Sequence, residues 1–199
     1  CNCMSTLLRK SIQTIKNQGT GAFAKKALVY LEAKLEPAKI FLYPYARLRI
    51  KKFNKTFPSL KKSVNFAFRD AGRLIRPSQV ESEIETLLNI IKETRPRRIL
   101  EIGTSKGGTI FLFAQTVPQT EIISIDLPGG AFGGGYPEWK MPLYRSFMRP
   151  NQKLHLLRAN SHYLETLQQA GSLLRGHPID FLFIDGDHTY EGAKKDFEL

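Results

Sequence analysis

From Arg97 onward the chain alternates short apolar runs with helix-length segments, and this alternation restricts the possible folds more than any other feature. The runs Arg97–Ile102 (RRILEI), Glu121–Ile125, Leu154–Arg158 and Ile179–Ile184 read as buried strands. Helices are expected between them: a short one near Leu143–Met148, one from about Tyr163 to Leu174, and one from about Tyr190. Upstream, Ser78 followed by Glu81 has the spacing of a capping box. Val80, Ile84, Leu87, Leu88 and Ile91 then form one apolar stripe, which Pro96 ends. Strands separated by helices of this length imply βαβ units and a parallel sheet, an α/β fold of the Rossmann-like kind. Four strands are legible, whereas such sheets usually have about five or six. The sequence is therefore expected to be a fragment that stops within a helix, before a fifth strand.

Charge divides the chain differently. Residues 1–78 carry 17 Lys/Arg against 3 Asp/Glu, and residues 79–199 carry 13 against 15. Leu7, Leu8, Ile12 and Ile15, then Leu28, Leu31 and Leu35, recur at helical spacing, while Pro37, Pro44 and Pro58 rule out one long helix. The expected organisation is a basic, mostly helical extension over residues 1–75 and an α/β domain over residues 76–199. Within the extension, Ile40–Phe53 mixes Phe41, Leu42, Tyr43 and Tyr45 with Arg47, Arg49, Lys51 and Lys52. Such a mixture suits an anionic partner, a membrane surface or nucleic acid, and equally suits a solvated helix face. No apolar run approaches the roughly 18 residues that span a bilayer. Cys1 and Cys3 are too close to close a useful disulfide loop, and the cysteine-free remainder fits a reducing cytoplasm. The expected location is cytoplasmic, peripheral to the membrane if the basic extension docks there.

Three groups carry the chemistry. The segment Glu101-Ile-Gly103-Thr104-Ser105-Lys106-Gly107-Gly108-Thr109 joins a strand to a helix. Its glycines allow a tight turn, and a helix N-terminus offers free N–H donors. Gly103, Ser105 and Gly108 nearly match the dinucleotide fingerprint, with serine in the middle place. Glu101 argues against a pyrophosphate there, because a carboxylate repels phosphate and attracts the cationic methionine end of S-adenosylmethionine. The alternative is a carboxylate that caps the loop amides. Asp126 ends the next strand, 19 residues after Gly107, near the interval at which an acid meets ribose hydroxyls. The third group, Asp185-Gly-Asp187-His188, follows the last strand at the edge where ligands of such sheets bind. Carboxylates there suit Mg²⁺, and His188 suits a base for an acceptor hydroxyl, although an Asp-His pair in a loop can be purely structural.

The stretches RPSQVESEIETLL, RRILEIGTSKGGT, IISIDLPGGAFGGGYPEWKMPLYRSF, LHLLRANSH and IDFLFIDGDHTYEGAKKDFEL resemble the bacterial class I methyltransferases grouped with the cephalosporin hydroxylase and macrocin O-methyltransferase families. The resemblance implies a donor site in which Glu101, Gly103 and Ser105 surround the methionine part and Asp126 binds the ribose, with Thr104, Gly107 and Gly108 also among the cofactor-binding residues. Asn160 and Ser161 would lie beside the adenine, with Asn160 standing where relatives commonly have Asp. In metal-dependent members the acid at Asp185 ligates Mg²⁺ and the histidine at His188 is the base. Their other ligands follow the fifth strand.

The loop from Gly129 to Trp139, with Phe132 and Tyr136, reads either as a flap over substrate or as an insertion packed on the basic extension. The resulting expectation is O-methylation of a hydroxyl on a sugar or secondary metabolite, a small-molecule or glycan acceptor, with S-adenosylmethionine as donor and Mg²⁺ assisting. A homo-oligomer is also expected. Two other readings are an NAD-type oxidoreductase and a non-catalytic protein whose basic arm docks on RNA or membrane.

Overall fold

A computed structural model of the chain describes residues 37–70, 74–129 and 134–198. The chain divides into two units, Cys1–Leu42 and Tyr43–Leu199. In the first, the described residues form a 3-10 helix, Pro37–Leu42. The helical repeats expected around Leu7–Ile15 and Leu28–Leu35 lie outside the described residues.

The described residues of the second unit hold four parallel strands: β1 (Arg98–Ile102), β2 (Glu121–Asp126), β3 (Lys153–Arg158) and β4 (Phe181–Ile184), in the order β3-β2-β1-β4. The expected Rossmann-like α/β sheet is present. β1 is central because it is apolar on both faces, with Ile99 and Ile102 buried. Seven α-helices accompany the sheet among the described residues: α1 (Tyr43–Asn54), α2 (Leu60–Asn65), α3 (Glu81–Thr94), α4 (Gly108–Thr116), α5 (Met141–Arg145), α6 (Leu164–Leu174) and α7 (Tyr190–Glu198). A π-helical turn, Phe66–Asp70, follows α2, and a 3-10 turn, Glu138–Lys140, precedes α5. Among the described residues no helix is long and apolar enough to cross a membrane.

The sequence reading draws a domain border between residues 75 and 76, but the core runs through that point. Ile50, Val64, Phe66, Ala67, Phe68, Leu74 and Ile75 are buried in the same cluster as Ile84, Leu88, Ile99, Ile110 and Phe111. Aromatic rings bind the segments together. Phe53 stacks on Phe66 at 4.2 Å between centroids, Phe66 meets Phe111 at 5.6 Å, and Phe111 meets Phe147 edge-on at 5.6 Å. The reason is amphipathicity: α1 and α2 place their lysines in solvent and bury the opposite face against α4. The lysines of α1 and α2 lie on the exposed face of helices whose other face joins this core.

The expected capping box does not form. α3 begins at Glu81 with Val80 at the cap position, no side chain caps it, and Val80 is exposed. Glu81 instead accepts two hydrogen bonds from the Arg69 guanidinium, at 2.7 and 2.8 Å. The competing interaction is long-range. Residues 76–79 run alongside the start of α4, where a Cβ on Gly108 would lie 2.3 Å from the Ile75 carbonyl oxygen. That glycine is what lets the two segments touch.

Candidate functional site

The parallel register decides which side chains meet. Ile102 pairs with Ile125 on one side and Ile184 on the other, so Gly103 emerges between Asp126 and Asp185. The ladder continues one step past the strands, with Gly103 N–H donating to Ile125 O and Asp185 N–H donating to Ile102 O, both at 2.8 Å. Gly103 has φ +102°, and a Cβ there would lie 2.3 Å from the Asp185 carbonyl oxygen. Only glycine fits a backbone this close to the end of β4.

The glycine loop then turns into α4. Ser105, at the middle place of the near-fingerprint, takes a left-handed conformation with φ +48°. Glycine would hold that conformation with less strain. Ser105 N–H donates to Asp126 Oδ2 at 2.7 Å, and Tyr144 Oη–H donates to Ser105 O at 2.7 Å, so both sides of the strained residue are fixed. Gly107, also left-handed, lies under the Tyr144 ring. Asp126 further accepts from Leu127 N–H at 2.8 Å. Burial raises its pKa and the loop amides lower it, with burial the larger effect.

Glu101 differs from the expectation. Its side chain is sealed in the interior, fully shielded from solvent. Thr109 Oγ1 donates to Oε1, and Ser124 Oγ donates to Oε2 at 2.5 Å. Thr104 Oγ1 lies 2.6 Å from Ser124 Oγ. Because the one Ser124 proton goes to Glu101, Thr104 is the donor in that second contact. Burial pushes the Glu101 carboxyl up to about 7, against the lowering effect of the two hydroxyls, and the charges of Asp126 and Asp185 add to the rise. Neither direct ligand contact nor capping of loop amides describes Glu101. It ties β1 to β2 and to the first turn of α4, below the loop.

Around the loop lies a narrow cleft walled by Arg76, Pro77, Ser78 and Gln79 on one side and by Gly103, Thr104, Ser105, Lys106 and Asp185 on the other. Gln79 Nε2 donates to Asp185 Oδ2. Gln79 Oε1 is shut off from solvent and has no partner among the described residues. The sequence places Ser78 at a helix cap, whereas the structure puts it in this wall. No local signal marks Gln79, since its partner is 106 residues away.

The loop after β4 presents His188. Its side chain is 79% exposed, with Nε2 3.5 Å from Asp185 Oδ1. The turn is built by its neighbours. Asp187 Oδ1 accepts from Thr189 N–H at 2.9 Å, and Thr189 Oγ1 accepts from Gly192 N–H at 3.0 Å, as an N-cap for α7. Bonding to Thr189 holds the Asp187 carboxyl below its ordinary range. At the neighbouring corner, Asn160 Oδ1 accepts from His162 N–H at 2.9 Å. Ser161 Oγ donates to Asp196 Oδ1 at 2.6 Å, and Asp196 also lies 3.0 Å from His162 Nε2. Asn160 and Ser161 thus shape the turn after β3.

Two expectations about the long loop can be placed. Phe132 lies outside the described residues. Tyr136 is fully buried against Tyr144, and Trp139 meets Tyr43 edge-on at 4.8 Å. These two rings belong to the core and to α1 rather than to a flap over substrate, because burying them recovers more than exposing them to water would.

Asp185, where a metal ion is expected, brings one carboxylate to the end of β4. Among the described residues no group of three His, Cys, Asp or Glu side chains is placed to hold a metal ion. One Asp185 oxygen already accepts from Gln79. The cleft fits a zwitterionic, cationic ligand. Asp126 ends β2 and Asp185 follows β4, on either side of Gly103, and Asp185 and Gln79 line the cleft.

The comparisons with known proteins agree with this geometry. The family model described as a methyltransferase domain matches residues 100–199, half of the chain. An uncharacterized protein of Sinorhizobium fredii (strain NBRC 101917 / NGR234), y4gI, is 32% identical over 114 residues. That alignment covers 55% of this chain and 12% of the relative, so the chain spans only a small part of it. With its glycine loop between β1 and α4 and an acid ending β2, the chain belongs to the methyltransferase-domain family and carries the class I, S-adenosylmethionine-dependent form of that domain.

Proposed function

We propose that the chain transfers a methyl group from S-adenosylmethionine to an oxygen, a hydroxyl of a sugar or secondary metabolite, as the resemblance to macrocin O-methyltransferases implies. One observation carries the reading: Asp126 and Asp185 stand at the ends of β2 and β4 on either side of the glycine loop that begins at Gly103. A pyrophosphate is repelled by such an edge, and a sulfonium with an ammonium group is attracted. This speaks against the dinucleotide oxidoreductase reading.

When bound, the donor supplies a methyl carbon already activated by its sulfonium. The chain's own residues align and exclude. Asp126 accepts from the ribose hydroxyls, and the wall formed by Arg76 and Gln79 holds the amino-acid end. His188 takes the acceptor's proton at Nε2, oriented by Asp185. The test is a thermal-shift titration with S-adenosylhomocysteine and NAD in parallel. The first should raise the melting temperature and the second should not. Stabilisation by NAD alone would reverse the assignment.

A further inference from the structure

We propose that the outward face of α1 is a docking surface for anionic lipid headgroups, presented by the same folded unit that carries the cleft. Residues 37–69 contain nine Lys/Arg and no Asp/Glu. α1 lies in the middle of that stretch, and its two faces have different tasks. Tyr43, Ala46 and Ile50 are buried in the core, and Phe53 packs against it. Asn54 Nδ2 donates to Ser146 O at 3.2 Å and to Phe147 O at 3.1 Å, while Asn54 Oδ1 accepts from Gln115 Nε2 at 2.9 Å. The helix is thereby fixed in rotation about its axis.

The other face is apolar at its centre and cationic around it. Tyr45 is 62% exposed and Leu48 67% exposed, three residues apart and so on one side of the helix. Lys52 follows Leu48 by four residues and extends the same stripe, and Lys51 and Lys55 flank it, all three exposed. None of these lysines has an ion pair among the described residues. Arg49 is different: it donates to Asp70 O at 3.0 Å and lies over the Phe66 ring, so it serves the fold.

Leu48 decides between the two polyanions that lysines attract. A nucleic acid takes lysines at its phosphates and an aromatic ring against its bases, but offers an isolated aliphatic side chain nothing. A membrane interface takes all three kinds: lysines at the headgroups, tyrosine at the boundary, and leucine among the first methylenes. The surface is already ordered, so docking loses little conformational entropy.

The experiment is co-sedimentation of the full chain with phosphatidylcholine vesicles, with and without phosphatidylglycerol. Binding is expected only with the anionic lipid and should weaken steeply as salt rises. Joint Lys51→Glu, Lys52→Glu and Lys55→Glu substitution should weaken it about a hundredfold or more. Leu48→Ser, at unchanged charge, should weaken it about tenfold. All these positions are exposed, so unchanged circular dichroism and S-adenosylhomocysteine binding should accompany the loss. Absence of binding to anionic vesicles overturns the proposal, and so does binding that both sets of substitutions leave intact. Tight RNA binding that Leu48→Ser does not affect, with no lipid binding, would identify a nucleic-acid surface instead and overturn it equally.

Discussion

Replacing Glu101 with Gln should change how stability depends on pH, by an amount the structure allows one to work out. In the native chain, burial lifts this carboxyl from its ordinary value of 4.5 to about 7. The folded state therefore holds the proton more tightly than the unfolded state does. The sign follows from linkage: the stabilisation from this group is fully present below about pH 4.5 and is lost as pH climbs through about 7. A difference of this size corresponds to about 3 kcal/mol. The amide introduced by Glu101→Gln has no proton to lose, and it keeps the size needed to reach Thr109 and Ser124. Urea denaturation of both proteins at several pH values between about 5 and 8 isolates the effect, because other titrating groups cancel in the difference. Relative to the variant, the native chain should lose about 2.5 kcal/mol across that range, or a midpoint shift of about 1.2 M for an m-value near 2 kcal/mol/M. Parallel stability profiles would refute the reasoning, since they would mean that Glu101 is not a desolvated carboxylate.

Other outcomes can be stated more briefly. Gly103→Ala should destabilise the fold by at least about 2 kcal/mol in chemical denaturation, because the methyl group meets the Asp185 carbonyl and the φ of +102° disfavours any Cβ. Tyr144→Phe removes the hydroxyl that fixes Ser105 and should cost about 1 kcal/mol, with weaker S-adenosylhomocysteine binding by calorimetry. Asp126→Asn turns one acceptor toward a loop N–H as a donor, and donor affinity should fall about tenfold or more in the same assay. His188→Ala should lower methyl transfer about a hundredfold or more while leaving donor affinity unchanged, since the ring is largely exposed and serves no packing role.

The sheet was legible because each strand is a compact apolar run whose neighbours are helices of ordinary length, and such local patterns suffice for βαβ units. The tips of those strands were legible for the same reason: Gly103, Asp126 and Asp185 are found wherever the runs end. Three features were not legible. Ser78 and Glu81 have capping-box spacing, but Arg69 competes for Glu81 and α4 for the preceding segment, and neither partner is near in sequence. Tyr136 and Trp139 sit among glycines and look like a flap, yet their destinations are Tyr144 and Tyr43. The direction in which Glu101 points depends on Thr109 and Ser124, and a carboxylate at a strand tip has the same sequence signature whether it faces a ligand or the interior.

The two margins of the sheet are unequal. Lys153, His155 and Arg158 stand along β3, where charge discourages a further strand from adding. β4 is Phe-Leu-Phe-Ile, without a charge, and Leu182 is 36% exposed. Its outer main-chain groups have no ladder partner among the described strands. Charge along one margin and its absence along the other set how readily each pairs with a further strand.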